Sequence, residues 1–257
     1  MRLKIYSWNV NGIRAAERKG FSTWLAASGA DIVALQETKA RPEQLGAALS
    51  EPPGYQAAWL SAEKAGYSGV ATFSKAAPIA ERRGIGDARF DSEGRVLISE
   101  FAALTLLNCY FPSGSAGPHR VAHKLAFYEA LTLVVSAYLA EGRSLVLVGD
   151  LNTAYAPIDL ARPRENMQTS GFLLNERAAL GQLYAAGLVD SLRHLHPERV
   201  AYSWWSQRVI SLRERNIGWR LDAILVSADL ASRIVAADTH SEVLGSDHCP
   251  VSLVLEL

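Results

Sequence analysis

Cysteine is scarce in this chain of 257 residues, where Cys109 and Cys249 are the only two. At most one disulfide can form, which excludes a disulfide-stapled fold, and two free thiols suit a reducing, cytoplasmic setting. An excess of one charge is also missing: 26 Lys plus Arg face 26 Asp plus Glu, for a formal net charge of zero. That excludes a histone-like basic binder and a polyacidic tail. No apolar run approaches the roughly 20 residues of a spanning helix. The best candidate, residues 131–140, is broken by Thr132 and Ser136, so no membrane association is expected. Residues 1–20 hold Arg2, Lys4, Arg14, Glu17, Arg18 and Lys19 without the apolar stretch of a signal peptide. There is no fixed-period repeat, and the richest loop, residues 113–118, is too short for an interdomain tether. One domain over residues 1–257 is expected.

Short apolar runs bounded by turn residues read as buried strands at 3–8, 32–35, 69–73, 96–101, 104–110, 145–148, 224–226 and 251–255. Helical periodicity is visible at 21–27, 42–49, 121–140 and 175–186, the last stopped by Gly187. In 121–140, Leu125, Tyr128, Leu131, Val135 and Tyr138 share a stripe. Very short connections, such as that between 96–101 and 104–110, favour hairpins over crossovers. The fold class is therefore α/β: two mostly antiparallel sheets packed face to face with helices on their outer faces.

Polar residues sit just outside these strands. Asn9 and Asn11 follow the first, Gln36 and Glu37 the second, and Asp150 and Asn152 the run 145–148, while Asp222, Asp247 and His248 precede theirs. In an antiparallel sheet one strand's end lies beside its neighbour's start, so both sets can meet at one rim. Glu37 is the best metal-ligand candidate, since Mg²⁺ takes oxygen ligands and often only one or two carboxylates; alone, it also reads as an exposed acid after a strand. Asp150 could accept a proton from water and Asn152 could hold it or donate to a phosphate, or both could form a strand-end turn. Asp222 could orient His248 and favour its imidazolium, or the pair could be a core-edge hydrogen bond. Tyr110 could offer its hydroxyl to a phosphate or pack as a strand tyrosine, while Cys109 alternates to the other face and reads as core, as does Cys249.

Trp204, Trp205 and Trp219 flank Arg208, Arg213, Arg215 and Arg220, whose four cations against Glu214 leave a net local charge of +3. Interleaved aromatics and arginines suit a nucleic-acid backbone, or the tryptophans are core and the arginines solvated. His119-Arg120-Val121-Ala122-His123 lacks the Glu of a zinc protease, His194 and His196 lack cysteine partners, and no P-loop, G-x-G-x-x-G or G-x-S-x-G is present.

Taken together and in order, the motifs resemble the exonuclease III family of apurinic/apyrimidinic endonucleases, within the endonuclease/exonuclease/phosphatase superfamily. The matching stretches are Trp8-Asn9-Val10-Asn11-Gly12-Ile13-Arg14, Leu35-Gln36-Glu37-Thr38-Lys39, Gly66-Tyr67-Ser68-Gly69-Val70, Tyr110-Phe111-Pro112, Gly149-Asp150-Leu151-Asn152, Asn216-Ile217-Gly218-Trp219-Arg220-Leu221-Asp222 and Ser246-Asp247-His248-Cys249-Pro250. The resemblance spans essentially the whole chain. It implies a four-layered α/β sandwich, damaged double-stranded DNA as partner, and Mg²⁺- or Mn²⁺-dependent phosphodiester hydrolysis 5′ to abasic sites, with 3′→5′ exonuclease and 3′-end trimming. By the same resemblance Glu37 binds the metal with Asn11 nearby and Asp247 as a second contact. Asp150 positions or deprotonates water, Asn9 and Asn152 bind phosphate or orient Asp150, Tyr110 lies near the leaving oxygen, and Asp222 holds His248 on a phosphate oxygen. Trp204, Trp219 and Leu221 line the pocket for an extruded abasic sugar; Arg14, Tyr67, Arg95 and Asn166 match positions used on the DNA. Two departures are Ser113, where relatives often carry Asn or Gln, and Arg208, where some place an apolar minor-groove wedge. A monomer is expected, nucleoid-associated if the source is prokaryotic. The competing readings are a phosphoesterase of small phosphorylated molecules and a non-catalytic DNA binder.

Overall fold

The structure, a computed structural model, describes residues 1–207, 209 and 211–257. Among the described residues twelve strands alternate irregularly with helices: β1 (Arg2–Asn9), β2 (Ile32–Gln36), β3 (Gln56–Leu60), β4 (Val70–Ser74), β5 (Ala80–Arg83), β6 (Val96–Glu100), β7 (Thr105–Tyr110), β8 (Leu145–Asp150), β9 (Leu188–Asp190), β10 (Asp222–Ser227), β11 (Ile234–Thr239) and β12 (Val251–Glu256). They form two six-stranded sheets, ordered β11-β12-β1-β2-β4-β3 and β5-β6-β7-β8-β10-β9. Among the described residues each sheet has a single parallel seam, β1 with β2 and β7 with β8, and is otherwise antiparallel. The expected pair of mostly antiparallel sheets is thus present. Although no repeat is visible in the sequence, the two sheets share one connectivity up to a change of starting strand.

Strand alternation explains why both faces of the central strands are apolar. One face of each sheet meets the other sheet: Ile5, Ile32, Ala34, Leu106, Val146, Val148, Ile224 and Leu253 interdigitate there. The other face meets helices. Leu107, Cys109, Leu145 and Leu147 pack under Phe127, Tyr128, Leu131 and Val135 of the helix Pro118–Ala140. On the far side Trp8, Val33, Leu35 and Phe73 pack under Phe21 and Leu25 of the helix Phe21–Ser28. Full burial of each large apolar side chain is worth roughly 1.5–3 kcal/mol, which makes this double burial the main source of stability. Cys109 lies in the core as expected, and burial pushes the thiols of Cys109 and Cys249 well up, away from nucleophilic chemistry.

Two sequence expectations need correcting. The helix expected at 42–49 is a 3₁₀ turn, Pro42–Gln44, and a separate turn of helix, Ala47–Ser50; Leu45 and Gly46 between them are extended. Strands β3, β5, β9 and β11 also escaped the sequence reading. Strand β5 carries four exposed residues and pairs with β6 alone, so an edge position leaves it no apolar signature. No helix among the described residues is long and apolar enough to cross a membrane.

For the site, register matters most. Asn9 lies opposite Gln36, Tyr110 opposite Asp150, and Asp222 opposite Asp150. The ends of β1, β2, β7 and β8 and the starts of β10 and β12 therefore open on one rim.

Candidate active site

Three residues at this rim leave their strands through left-handed backbone: Asn11 (φ 45°), Glu37 (φ 52°) and Asn152 (φ 49°). Such conformations cost on the order of 1 kcal/mol or more outside glycine and persist only where the surroundings hold them. Glu37 is held on both sides. Its carbonyl accepts from Gly12 N (2.7 Å), and the next residue, Thr38, donates to the Gly69 carbonyl (3.1 Å) and accepts from Ile13 N (3.0 Å).

The side chains so placed form one connected network. Asn9 Nδ2 donates to Glu37 Oε1 (2.9 Å) and to Asp150 Oδ2 (2.8 Å), linking the two sheets. Asn152 donates to Asp150 twice, from its backbone N to Oδ1 (2.8 Å) and from Nδ2 to Oδ2 (3.2 Å), and Nδ2 also donates to the Phe111 carbonyl. His248 Nδ1 lies 2.8 Å from Asp222 Oδ2, and its Nε2 lies 3.9 Å from Asp150 Oδ2. Donor atoms of Glu37, Asp150 and His248 all fall within 4.8 Å of one another.

Electrostatics divide the roles. Burial, then the charges of Asp222 and Glu37, raise Asp150 above the ordinary carboxylate range, against the counter-charge of His248. Burial alone would lower His248, but Asp222 and then Asp150 outweigh it and carry the imidazole up to about 10. Burial would likewise favour neutral Glu37, yet the Lys39 ammonium at 2.7 Å and the Asn9 amide hold it below its usual value. Burial, together with the carboxylates of Glu37 and Asp150, pushes the Tyr110 hydroxyl well up, so it stays protonated.

The donor set fits a divalent cation. Lys39 Nζ sits between Glu37 Oε2 and Asn11 Oδ1, so two oxygens already converge on a positive charge at this spot. With Nδ1 on Asp222 and its proton retained, His248 has no lone pair to give, which leaves the oxygens of Glu37, Asn11 and Asp150 as the ligand candidates. Asp247 stands apart. Its Oδ1 accepts from Asn11 Nδ2 (2.9 Å) and its Oδ2 from Trp204 Nε1 (3.1 Å), and it is not among the clustered donors. Burial would raise it, but the His248 charge and those hydrogen bonds bring it below the ordinary range.

The aromatic wall is beside this cluster. Trp204 bridges both Trp219 and His248, its ring 6.5 Å from the first and 6.4 Å from the second. Leu221 is buried two residues on, with its N–H on Ser203 Oγ and its carbonyl accepting from Leu151 N. Trp205, by contrast, is a core residue with the Arg213 guanidinium over its ring at 4.6 Å. The expected basic patch is largely dissolved by the fold. Arg213 donates to the carbonyls of Ser241, Val243 and Ser246, and Arg220 is buried between Asp159 (2.7 Å) and Asp190 (2.8 Å). Arg215 is exposed; Arg208 lies outside the described residues.

The remaining candidates are spread out. Arg95 is buried under the site, donating to the Tyr110 carbonyl (3.1 Å) and to Tyr67 Oη (2.8 Å), with its guanidinium 4.8 Å from the Tyr110 ring. Arg14 is exposed on the short helix Ile13–Glu17, and Asn166 donates to the Arg162 carbonyl; neither hydrogen-bonds to the carboxylate cluster among the described residues. Sequence reasoning missed Lys39, which lay in a quoted motif, and Lys124. The latter's signal was a cation at the head of the apolar series 124, 128, 131, 135 on one helix.

Two carboxylates, an imidazolium and a protonated phenol around one notch are groups suited to phosphoester hydrolysis. Comparison with known proteins agrees. The Endonuclease/Exonuclease/phosphatase family matches residues 6–248. An exodeoxyribonuclease of Bacillus subtilis (strain 168) is 42% identical over 257 residues, covering 99% of this chain and 100% of that protein. Among solved structures, an AP endonuclease from Archaeoglobus fulgidus superposes with a TM-score of 0.89 at 30% identity, covering 99% of this chain and 100% of that one. The 3′ phosphatase NExo from Neisseria, bound to a product DNA hairpin, gives 0.90 at 29% identity with the same coverage. The chain belongs to the endonuclease/exonuclease/phosphatase family. It is a hydrolase of that family, of the exodeoxyribonuclease and AP endonuclease type.

Proposed function

We propose that this protein is a DNA-repair phosphodiesterase that cuts duplex DNA 5′ to abasic sites and also trims 3′ ends. One observation carries this reading: Glu37, Asp150 and His248 converge within 4.8 Å, with Asp222 at 2.8 Å behind the imidazole. Asp150, raised toward neutrality and aimed by Asn9 and Asn152, takes a proton from the attacking water. His248, kept cationic by Asp222, donates from Nε2 to a non-bridging phosphate oxygen and stabilises the charge that develops there. Tyr110 stays protonated and donates near the departing 3′ oxygen. Glu37, with Asn11 beside it, would hold Mg²⁺ or Mn²⁺, which when bound would supply charge neutralisation to the phosphate. Asp247 contributes indirectly, by fixing Asn11 and Trp204.

Specificity follows from the wall of Trp204, Trp219 and Leu221. An abasic nucleotide has no base to unstack, so its extrusion is cheap, and a small apolar pocket rejects an intact nucleotide by size. Arg14, Tyr67 and Asn166 contact the DNA from the rim, whereas Arg95 acts from beneath by holding Tyr67 and Tyr110. One chain supplies every group named, so a single domain acting as a monomer suffices.

The test is digestion of a duplex panel carrying an abasic site, a 3′-phosphate, a recessed end or uracil, with and without Mg²⁺ and EDTA. Metal-dependent nicking beside the abasic site is expected, and Asp150→Asn and His248→Asn should abolish it while DNA is still bound. Hydrolysis of inositol phosphates with no action on any duplex would overturn the reading, as would abasic-DNA binding without nicking.

A further inference from the structure

The chemistry above leaves one buried ion pair unused. Lys124, on the helix Pro118–Ala140, and Glu176, in the first turn of the helix Leu174–Ala185, are both fully buried and 2.9 Å apart. A buried pair of this kind is rarely favoured over well-packed apolar residues on stability alone, because desolvating two charges offsets their attraction. Its contacts are the more informative feature. Lys124 Nζ donates to the Asn152 carbonyl at 2.6 Å, on the left-handed residue that aims Asp150. One helical turn on, Tyr128 Oη donates to the Leu151 carbonyl at 2.9 Å. Glu176 faces the other way: it accepts from Ser170 Oγ (2.7 Å), Gly171 N (2.5 Å) and Leu173 N (3.2 Å).

Gly171 is where the two sides meet. It is left-handed at φ 97°, its carbonyl accepts from Ala154 N (2.8 Å), and a Cβ there would lie 3.2 Å from the Trp219 ring and 3.3 Å from the Asn152 carbonyl. A chain of contacts thus runs from Asp150 through Asn152, Lys124 and Glu176 to Gly171, whose neighbour Phe172 packs in one cluster with Ala154 and Trp219. We propose that Lys124 and Glu176 are a positioning pair that locks the loop following the catalytic base to the wall of the lesion pocket, so that a sugar seated against Trp219 meets Asp150 in register. This rests on the functional reading above and assigns the pair a part in turnover, not in DNA affinity.

The test is the double variant Lys124→Met/Glu176→Gln, which removes both charges while keeping side-chain length and an acceptor for Ser170 and Gly171. Displacement of a reacting group by about 1 Å lowers rates about 100-fold. The expected result is a single-turnover rate on abasic duplex lowered by about 10–100-fold, with the metal-free Kd within about twofold and the melting temperature unchanged. NMR signals of the Asn152 side-chain amide and the Trp219 indole should shift together. A rate within about threefold of the parent in a folded double variant overturns the proposal, as does a rate loss matched by an equal loss of affinity. Should the double variant fail to fold, Glu176→Gln alone carries the test, with coupled shifts of both signals expected and a shift confined to residues 170–173 overturning it. The NMR arm does not depend on the substrate. If the parent protein cuts no abasic DNA, the functional reading falls while the coupling of the two loops is still judged.

Discussion

Replacing Asp222 by Asn keeps an oxygen to accept the His248 Nδ1 proton but removes the charge that sustains the imidazolium. Next to Asp222 the ring titrates at about 10, so at pH 8 nearly every molecule is protonated. If the substitution returns His248 to its ordinary 6.5, about 76% remains protonated at pH 6, about 24% at pH 7 and about 3% at pH 8. Turnover that needs Nε2–H should therefore fall little at pH 6, about fourfold at pH 7 and about 30-fold at pH 8. The variant-to-parent ratio of single-turnover rates on abasic duplex reads this effect at each pH, and because Asp222 also helps raise Asp150, an NMR titration of the His248 ring in both proteins separates the two. The sign is definite: a raised pKa protects function on the alkaline side, so losing the partner moves the alkaline limb down. An equal loss at pH 6 and pH 8, or a ring titration near 10 in the variant by NMR, would refute the assignment of His248 as the cationic donor.

Other outcomes follow from the same geometry. Glu37→Gln should raise the Mg²⁺ concentration for half-maximal cleavage by at least about tenfold, and an unchanged metal titration removes Glu37 from the ligand set. Gly149→Ala should not give a folded protein at ordinary temperature, since its Cβ would lie 1.8 Å from the Cys109 carbonyl oxygen across the β7–β8 seam. A thermal melt within a few degrees of the parent would contradict that. Burial would raise Asp159, but Arg220 and Arg193 hold it below the ordinary range, so its contribution is complete above pH about 4 and lost as pH falls through its depressed value. Asp159→Asn should consequently flatten the acid limb of stability, measured by urea unfolding at pH 3 and pH 6; parallel limbs in the two proteins would count against the pairing.

Much of this site was legible in the sequence because strand ends are legible. Asn9, Glu37, Tyr110, Asp150, Asp222 and His248 each flank an apolar run, and the parallel seams β1–β2 and β7–β8, together with the antiparallel pairs β1–β12 and β8–β10, gather those flanks at one rim. What escaped was direction. A count of charges cannot distinguish Arg215, which is exposed, from Arg220, which turns inward to Asp159 and Asp190. Nor could adjacency to His248 show that Asp247 turns to Asn11 and Trp204. Lys124 was hidden for the opposite reason: its helix reads as amphipathic, and the acid that permits a cation on the buried stripe is 52 residues away. Strand β5, with Ala80, Glu81, Arg82 and Arg83 all exposed, has an edge's need for charge and nothing else to mark it.

Strand β12 sits between β11 and β1, pairing Arg2 with Glu256 and Ser7 with Val251. A nascent chain cannot complete that sheet until residues 251–256 have emerged, far along the sequence from β1, and β1 must wait with one edge bare. Pairing at such sequence distance is slow, and the exposed edge is open to chaperones in the interval. Asp247 and His248 immediately precede this closing strand, so the scissors acquire their second blade only as the sheet closes.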